Sequence, residues 1–161
     1  MATKADFAEV EWKSVANAPH FASIAVMTAG ASGVFGSLKE AVVAAKGVFD
    51  AAGHANELIR SIASKDEMQA AQSRIREEMG NIGDQDPKAW VREHALNELR
   101  EAVALLERKA PADLADYRAW VKTLADGVAN AAKEGAFLGF GGERVSAAEK
   151  QIMAEIATAL G

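Results

Sequence analysis

Leu114-Ala-Asp-Tyr-Arg-Ala-Trp-Val-Lys-Thr-Leu-Ala-Asp-Gly-Val-Ala-Asn-Ala131 returns an apolar side chain at Leu114, Tyr117, Val121, Leu124, Val128 and Ala131. Alternating spacings of three and four hold all of these on one face of an α-helix for about five turns. The same rhythm runs upstream through Leu96, Leu99, Val103 and Leu106, and Ala110-Pro111 breaks one helix and starts the next. Asp86-Pro87 reads as the N-cap and first residue of that upstream helix, because proline lacks only an N–H that would be unpaired there anyway. Downstream, Ser146-Ala-Ala-Glu149 forms a capping box before Ile152, Ile156 and Ala159.

Working outward, helix starts and stops recur along the whole chain. Thr3-Lys-Ala-Asp6 and Asp6-Phe-Ala-Glu9 both have capping-box spacing, so a first helix is expected from there to Asn17. Pro19 suits the first turn of a second helix, with Phe21, Ile24, Ala25 and Thr28 on one face and a stop in Gly30-Ala-Ser-Gly33. Ser37-Leu-Lys-Glu40 caps a helix carrying Leu38, Val42, Ala45 and Phe49, which Gly53 ends. A short helix from Asn56 to Ala63 follows, then one capped at Ser64-Lys-Asp-Glu67 that fades near Gly80. No stretch alternates as a half-buried strand does. The expected fold is all-α, a single-domain bundle of about 7–8 helices over residues 1–161.

Composition narrows the class. Half of the 161 residues are apolar and a quarter charged, which is globular. Abundant alanine favours close helix packing. A formal charge of −5 argues against nucleic-acid binding, which needs a basic face. The absence of cysteine excludes disulfides and thiolate chemistry. The acidic start lacks the basic and apolar regions of a secretory signal, so a cytoplasmic setting is expected. No fixed charge lies between Lys13 and Lys39, but Pro19, the polar residues and the three glycines there favour a buried helix pair over a membrane span.

Residues 1–53 hold 9 charged side chains and residues 54–110 hold 20, so the first part reads as core and the middle as amphipathic helices laid over it. A faint echo links residues 1–53 with 111–161: Trp12 and Trp120 each lead through an apolar helix to a Gly/Phe loop, a capping box and another helix. Two pseudo-repeated halves joined by the charged middle are one reading of this; coincidence in an alanine- and glycine-rich chain is the other.

The second of those loops, Gly135-Ala-Phe-Leu-Gly-Phe-Gly-Gly142, is the foremost candidate for function. Phosphate cradling is disfavoured, because no strand precedes it and Ser146 and Glu149 are committed to capping the amides an anion would need. A helix-to-helix turn whose phenylalanines plug the core is the structural reading; Phe35, Phe137, Leu138 and Phe140 as a partner- or ligand-binding surface is the functional one. His94 and Glu98, one turn apart, read as a solvated charged face rather than a metal clip. Trp12, Trp90 and Trp120 read as core.

Val128-Ala-Asn-Ala-Ala-Lys-Glu-Gly135, then Val145-Ser-Ala-Ala-Glu149 and Ile156-Ala-Thr-Ala-Leu-Gly161, resembles the repeat unit of the tellurite-resistance TerB-like helical family over about the last 35 residues. The whole chain is also similar to small bacterial all-helical proteins. The TerB-like resemblance implies packed antiparallel helices, a bacterial cytoplasmic or membrane-peripheral setting, and divalent-metal binding by turn acids. Glu134 stands where the family has an acid before glycine, and Glu149 at the acid of the cap. Here the turn is lengthened by Phe137–Phe140.

No catalytic constellation emerges, and no cofactor beyond that divalent metal is expected. The chain is expected to be a non-enzymatic interaction or stress-associated module that docks a protein partner or a second copy through its Gly/Phe loop. The alternatives are an apolar small-molecule or lipid-binding protein and a TerB-like metal-binding protein.

Overall fold

The computed structural model describes residues 1–30, 46–48, 50–135 and 146–161, with the backbone alone for 131–135. It is all-helical, without strands among the described residues. The helices are α1 (Glu9–Ala29), α2 (Glu57–Ile62), α3 (Lys65–Gly80), α4 (Pro87–Lys109), α5 (Leu114–Gly135) and α6 (Ala147–Leu160), with 3-10 turns at Lys4–Asp6 and Ala51–Gly53. Residues 46–48 are also helical. No helix among the described residues is long and apolar enough to cross a membrane.

Local chemistry explains most boundaries. Asn56 accepts hydrogen bonds from the amides of Leu58 and Ile59 and so starts α2. Ser64 starts α3, Asp86 starts α4 with Pro87 in the first turn, and Ser146 with Glu149 starts α6. The Thr3–Asp6 box forms, but it closes only the short 3-10 turn; α1 begins at Glu9, with Glu11 reaching back to the Ala8 amide at 2.8 Å. Pro111 lies in the turn before α5, which starts at Leu114.

The clearest departure is Pro19. Instead of opening a second helix it lies inside the 21-residue α1. An interior proline deprives the carbonyl four residues earlier, here Val15, of its amide donor. The Tyr117 hydroxyl donates to that carbonyl at 2.8 Å from α5. The bond that proline removes is thereby replaced from another helix.

α1 is the central element. Residues 14–19 are buried in succession, so it is covered on every side, and it packs against α3, α4, α5 and α6. Its most extensive partner is α4, whose Val91, Ala95, Leu96, Leu99, Ala102, Val103, Leu105 and Leu106 are buried. The charged middle of the chain thus divides: α4 belongs to the core, and only α3 is laid over it. Side-chain pairings fix the directions: Phe21 meets His94 while Glu11 meets Lys109, so α4 runs antiparallel to α1. Helical residues 46–48 come so close to α5 that a Cβ on Gly47 would lie 2.8 Å from Leu124 Cδ2.

A buried polar node ties the N-terminal segment, α2 and α5 together. Asp113, 2% exposed, accepts from the Ala2 amide and from Asn56 Nδ2, both at 2.8 Å. Asn56 Nδ2 also donates to Asp116 at 3.0 Å while its oxygen caps α2. Every hydrogen-bonding atom of the Asn56 side chain is therefore used.

Candidate functional site

The inward stripe of α3 is charged where an apolar one would be expected. Glu67, Ala71, Arg74 and Glu78 follow one another at spacings of 4, 3 and 4, the period that keeps them on one helix face. Only Ala71 and Ile75 are buried apolar residues of this helix. What holds α3 down is a polar seam against α1 and α4.

At one end of the seam, Glu67 is 4% exposed and accepts from Lys4 at 2.8 Å and from Arg74 at 2.7 Å. Arg74 also donates to Asn17 Oδ1 on α1 at 3.0 Å. Burial by itself would raise the Glu67 pKa, but the contacts with Lys4, Trp12 and Arg74 outweigh it and hold the carboxyl below the usual range. The Trp12 indole lies beside this carboxylate, yet its Nε1 does not reach hydrogen-bond geometry. His20, also on α1, is pushed down to about 4, first by burial and then by the nearby Arg74 charge.

At the other end, the His94 imidazole stacks on Trp90, with centroids 4.5 Å apart and planes within 11°, and meets the edge of Phe21 at 4.5 Å. Its Nε2 is 2.8 Å from Glu78 on α3 and 4.0 Å from Glu98 on its own helix. Burial, then the charges of Glu78 and Glu101, push Glu98 up to about 7. Glu98 Oε2 is buried without a hydrogen-bond partner.

Of the six buried side-chain polar atoms that make no hydrogen bond among the described residues, four lie in this seam: Trp12 Nε1, His20 Nε2, Glu98 Oε2 and His94 Nε2, the last of which still has the Glu78 carboxylate 2.8 Å away. Unsatisfied buried groups cost roughly 1–3 kcal/mol each, so the seam is polar, desolvated and only partly matched. Chemically it can store and release protons. No group of three or more His, Asp or Glu side chains among the described residues is arranged to hold a metal ion.

A second feature lies at the far end of α1. A cleft of about 340 Å³ opens between the end of α1, the start of α4 and the start of α6. Ala25, Thr28, Ala29, Ala89, Ala148 and Ile152 wall it, and Lys88, Arg92 and Asp86 stand at its rim. Arg92 is ion-paired with Glu155 across α4 and α6.

Of the residues singled out from sequence, Phe35, Phe137, Leu138 and Phe140 lie outside the described residues, as do the capping box at Ser37–Glu40 and the Gly/Phe loops of the internal echo. The Glu134 side chain is likewise outside them. Glu149 is 7% exposed, and its Oε2 accepts from the Ser146 amide at 2.7 Å and the Ser146 hydroxyl at 2.8 Å. Trp12 and Trp120 are core residues, and Trp90 packs against the core from its edge. His94 and Glu98 are not on a solvated face, because α3 covers them; their side chains are 27% and 17% exposed. The signal that could have found the seam is the stripe Glu67–Arg74–Glu78 itself, a charged face at helical period.

Comparison with known proteins returned no match to a family model, to a curated protein or to a solved structure.

Proposed function

We propose that this chain is a non-enzymatic helical module that associates through the end of the bundle where α1 stops and α6 begins, the occupant of its cleft being the Phe137–Phe140 segment of a second copy. The observation that carries this reading is the cleft between α1, α4 and α6. Its walls are small side chains, which leaves a hole of about 340 Å³ suited to a large apolar group. The start of α6 borders that cleft, and the sequence that leads into it carries Phe137-Leu-Gly-Phe140, which supplies such groups.

Filling the cleft tests the proposal. Ala148→Trp and Ala89→Trp replace exposed residues and should abolish concentration-dependent self-association in sedimentation, with unchanged helical circular dichroism. Phe140→Asp should have the same effect. A parent protein that stays monomeric across a hundredfold range of concentration would overturn the reading. Thermal stabilisation by fatty acids or lipids, blocked by Ala148→Trp and without a change of mass, would assign the cleft to a small apolar ligand instead.

A further inference from the structure

We propose that α3 is a proton-held clasp: it lies closed over α1 and α4 while Glu98 carries a proton, and its Glu78 end lifts when Glu98 ionises. The geometry is that of two carboxylates brought together under one end of a helix. Glu78 on α3 reaches into the seam to within 2.8 Å of His94 Nε2, and Glu98 lies 4.0 Å from the same nitrogen. Glu98 has no hydrogen-bond donor for its buried Oε2. When Glu98 ionises, this end of the seam holds two negative charges and one imidazole.

The groups facing Glu98 can be named element by element. From α3 it faces Glu78; from α4, His94 and Glu101; from α5, Tyr117, whose hydroxyl is itself pushed up by burial and then by the Glu98 charge. The ionisable residue that α1 brings to the seam, His20, faces Arg74 and Glu67 at the other end. Among the described residues, no lysine or arginine is among the charges acting on Glu98. The other end of α3 is pinned by Lys4 on Glu67 and by Arg74 on Asn17 of α1, so the two ends of one helix respond differently to a proton.

The sign follows from linkage. Glu98 titrates near 7 when α3 is closed, and an exposed carboxyl titrates near 4.5. The closed state therefore binds the proton more tightly, so closure is fully favoured below about 4.5, weakens as pH rises through 7, and changes no further once Glu98 is ionised in both states. The apolar contacts that opening this end must break are those of Ile75, which is buried, and Met79, which packs half-buried against the core.

Hydrogen exchange of the intact chain between pH 6 and 8.5, corrected for intrinsic rates, tests the clasp. Protection of the amides in the second half of α3 should fall up to about tenfold across that range, levelling off above pH ~8, relative to those of α6. Glu98→Gln, which keeps the carboxyl neutral, should flatten the profile, and circular dichroism at pH 6 checks that it folds. Glu78→Gln, which removes the facing charge, should reduce the slope and serves as the readout if Glu98→Gln does not fold. Protection in the parent that is independent of pH, or a Glu98→Gln profile that falls as the parent's does, would overturn the proposal. None of these outcomes depends on self-association through the cleft.

Discussion

The Tyr117 hydroxyl donates to the Val15 carbonyl, the one that Pro19 leaves without an amide donor inside α1. The two partners are 102 residues apart in sequence, and both are fully buried. A hydrogen bond that is normally local has been replaced by one between helices.

Tyr117→Phe should therefore destabilise the fold by roughly 1–3 kcal/mol, the cost of a buried acceptor without a donor. Pro19→Ala restores an amide at the position that normally serves Val15. In that background Tyr117→Phe should cost at least about 1 kcal/mol less, so a urea double-mutant cycle reads the coupling directly. Equal costs in both backgrounds would show that the hydroxyl does not stand in for the missing amide.

Pro19 also shows where sequence reading stops. Pro87 was legible because its partner, Asp86, is adjacent and the cap is local. Pro19 carries the same local signature, but what decides its place is a hydroxyl on a helix nearly a hundred residues away. The all-helical class and the starts of α2, α3, α4 and α6 were readable for the same reason that Pro87 was. His94 and Glu98 were not, because whether a face is solvated depends on which helix lies over it. The small-residue cleft was equally hidden, since its walls come from three separate helices.

Arg74→Met should cost about 1–3 kcal/mol, because Glu67, 4% exposed, keeps Lys4 but loses a charged donor, and Asn17 Oδ1 loses its own. Replacing both, Glu67→Met with Arg74→Met, should recover most of that loss, since no unpaired charge is then left in the seam. Chemical denaturation of the three variants would decide it; a double variant as unstable as Arg74→Met would contradict the argument.

Asn56→Asp keeps an oxygen to cap α2 but replaces the amide that donates to Asp113 and Asp116 with a third carboxylate. A loss on the order of 3 kcal/mol is expected at pH 7, shrinking as the carboxyls protonate in acid. Thermal melts at pH 7 and pH 4 should show the variant moving closer to the parent at the lower pH.

Two groups in the seam give opposite pH slopes. His20 is depressed to about 4, so the stability it contributes is present above 6.5 and is lost as pH falls through 4. Glu98 is raised to about 7, so its contribution is complete below 4.5 and is lost as pH rises through 7. His20→Asn should flatten the acid limb of the stability profile and leave the alkaline limb in place, with about 2–3 kcal/mol as the ceiling on the change. Urea midpoints from pH 4 to 8 would show a shallower acid limb, and an unchanged one would rule out His20 as its source.

The Tyr117–Val15 bond also makes α1 dependent on its neighbours. Alone in water, α1 would be two short helical pieces joined at a proline, and neither is long enough to persist. The central rod of the bundle is thus completed by a side chain from another helix. A peptide of residues 9–29 should show little helix at its middle. The unbroken α1 is a property of the assembled tertiary structure and not of its own sequence.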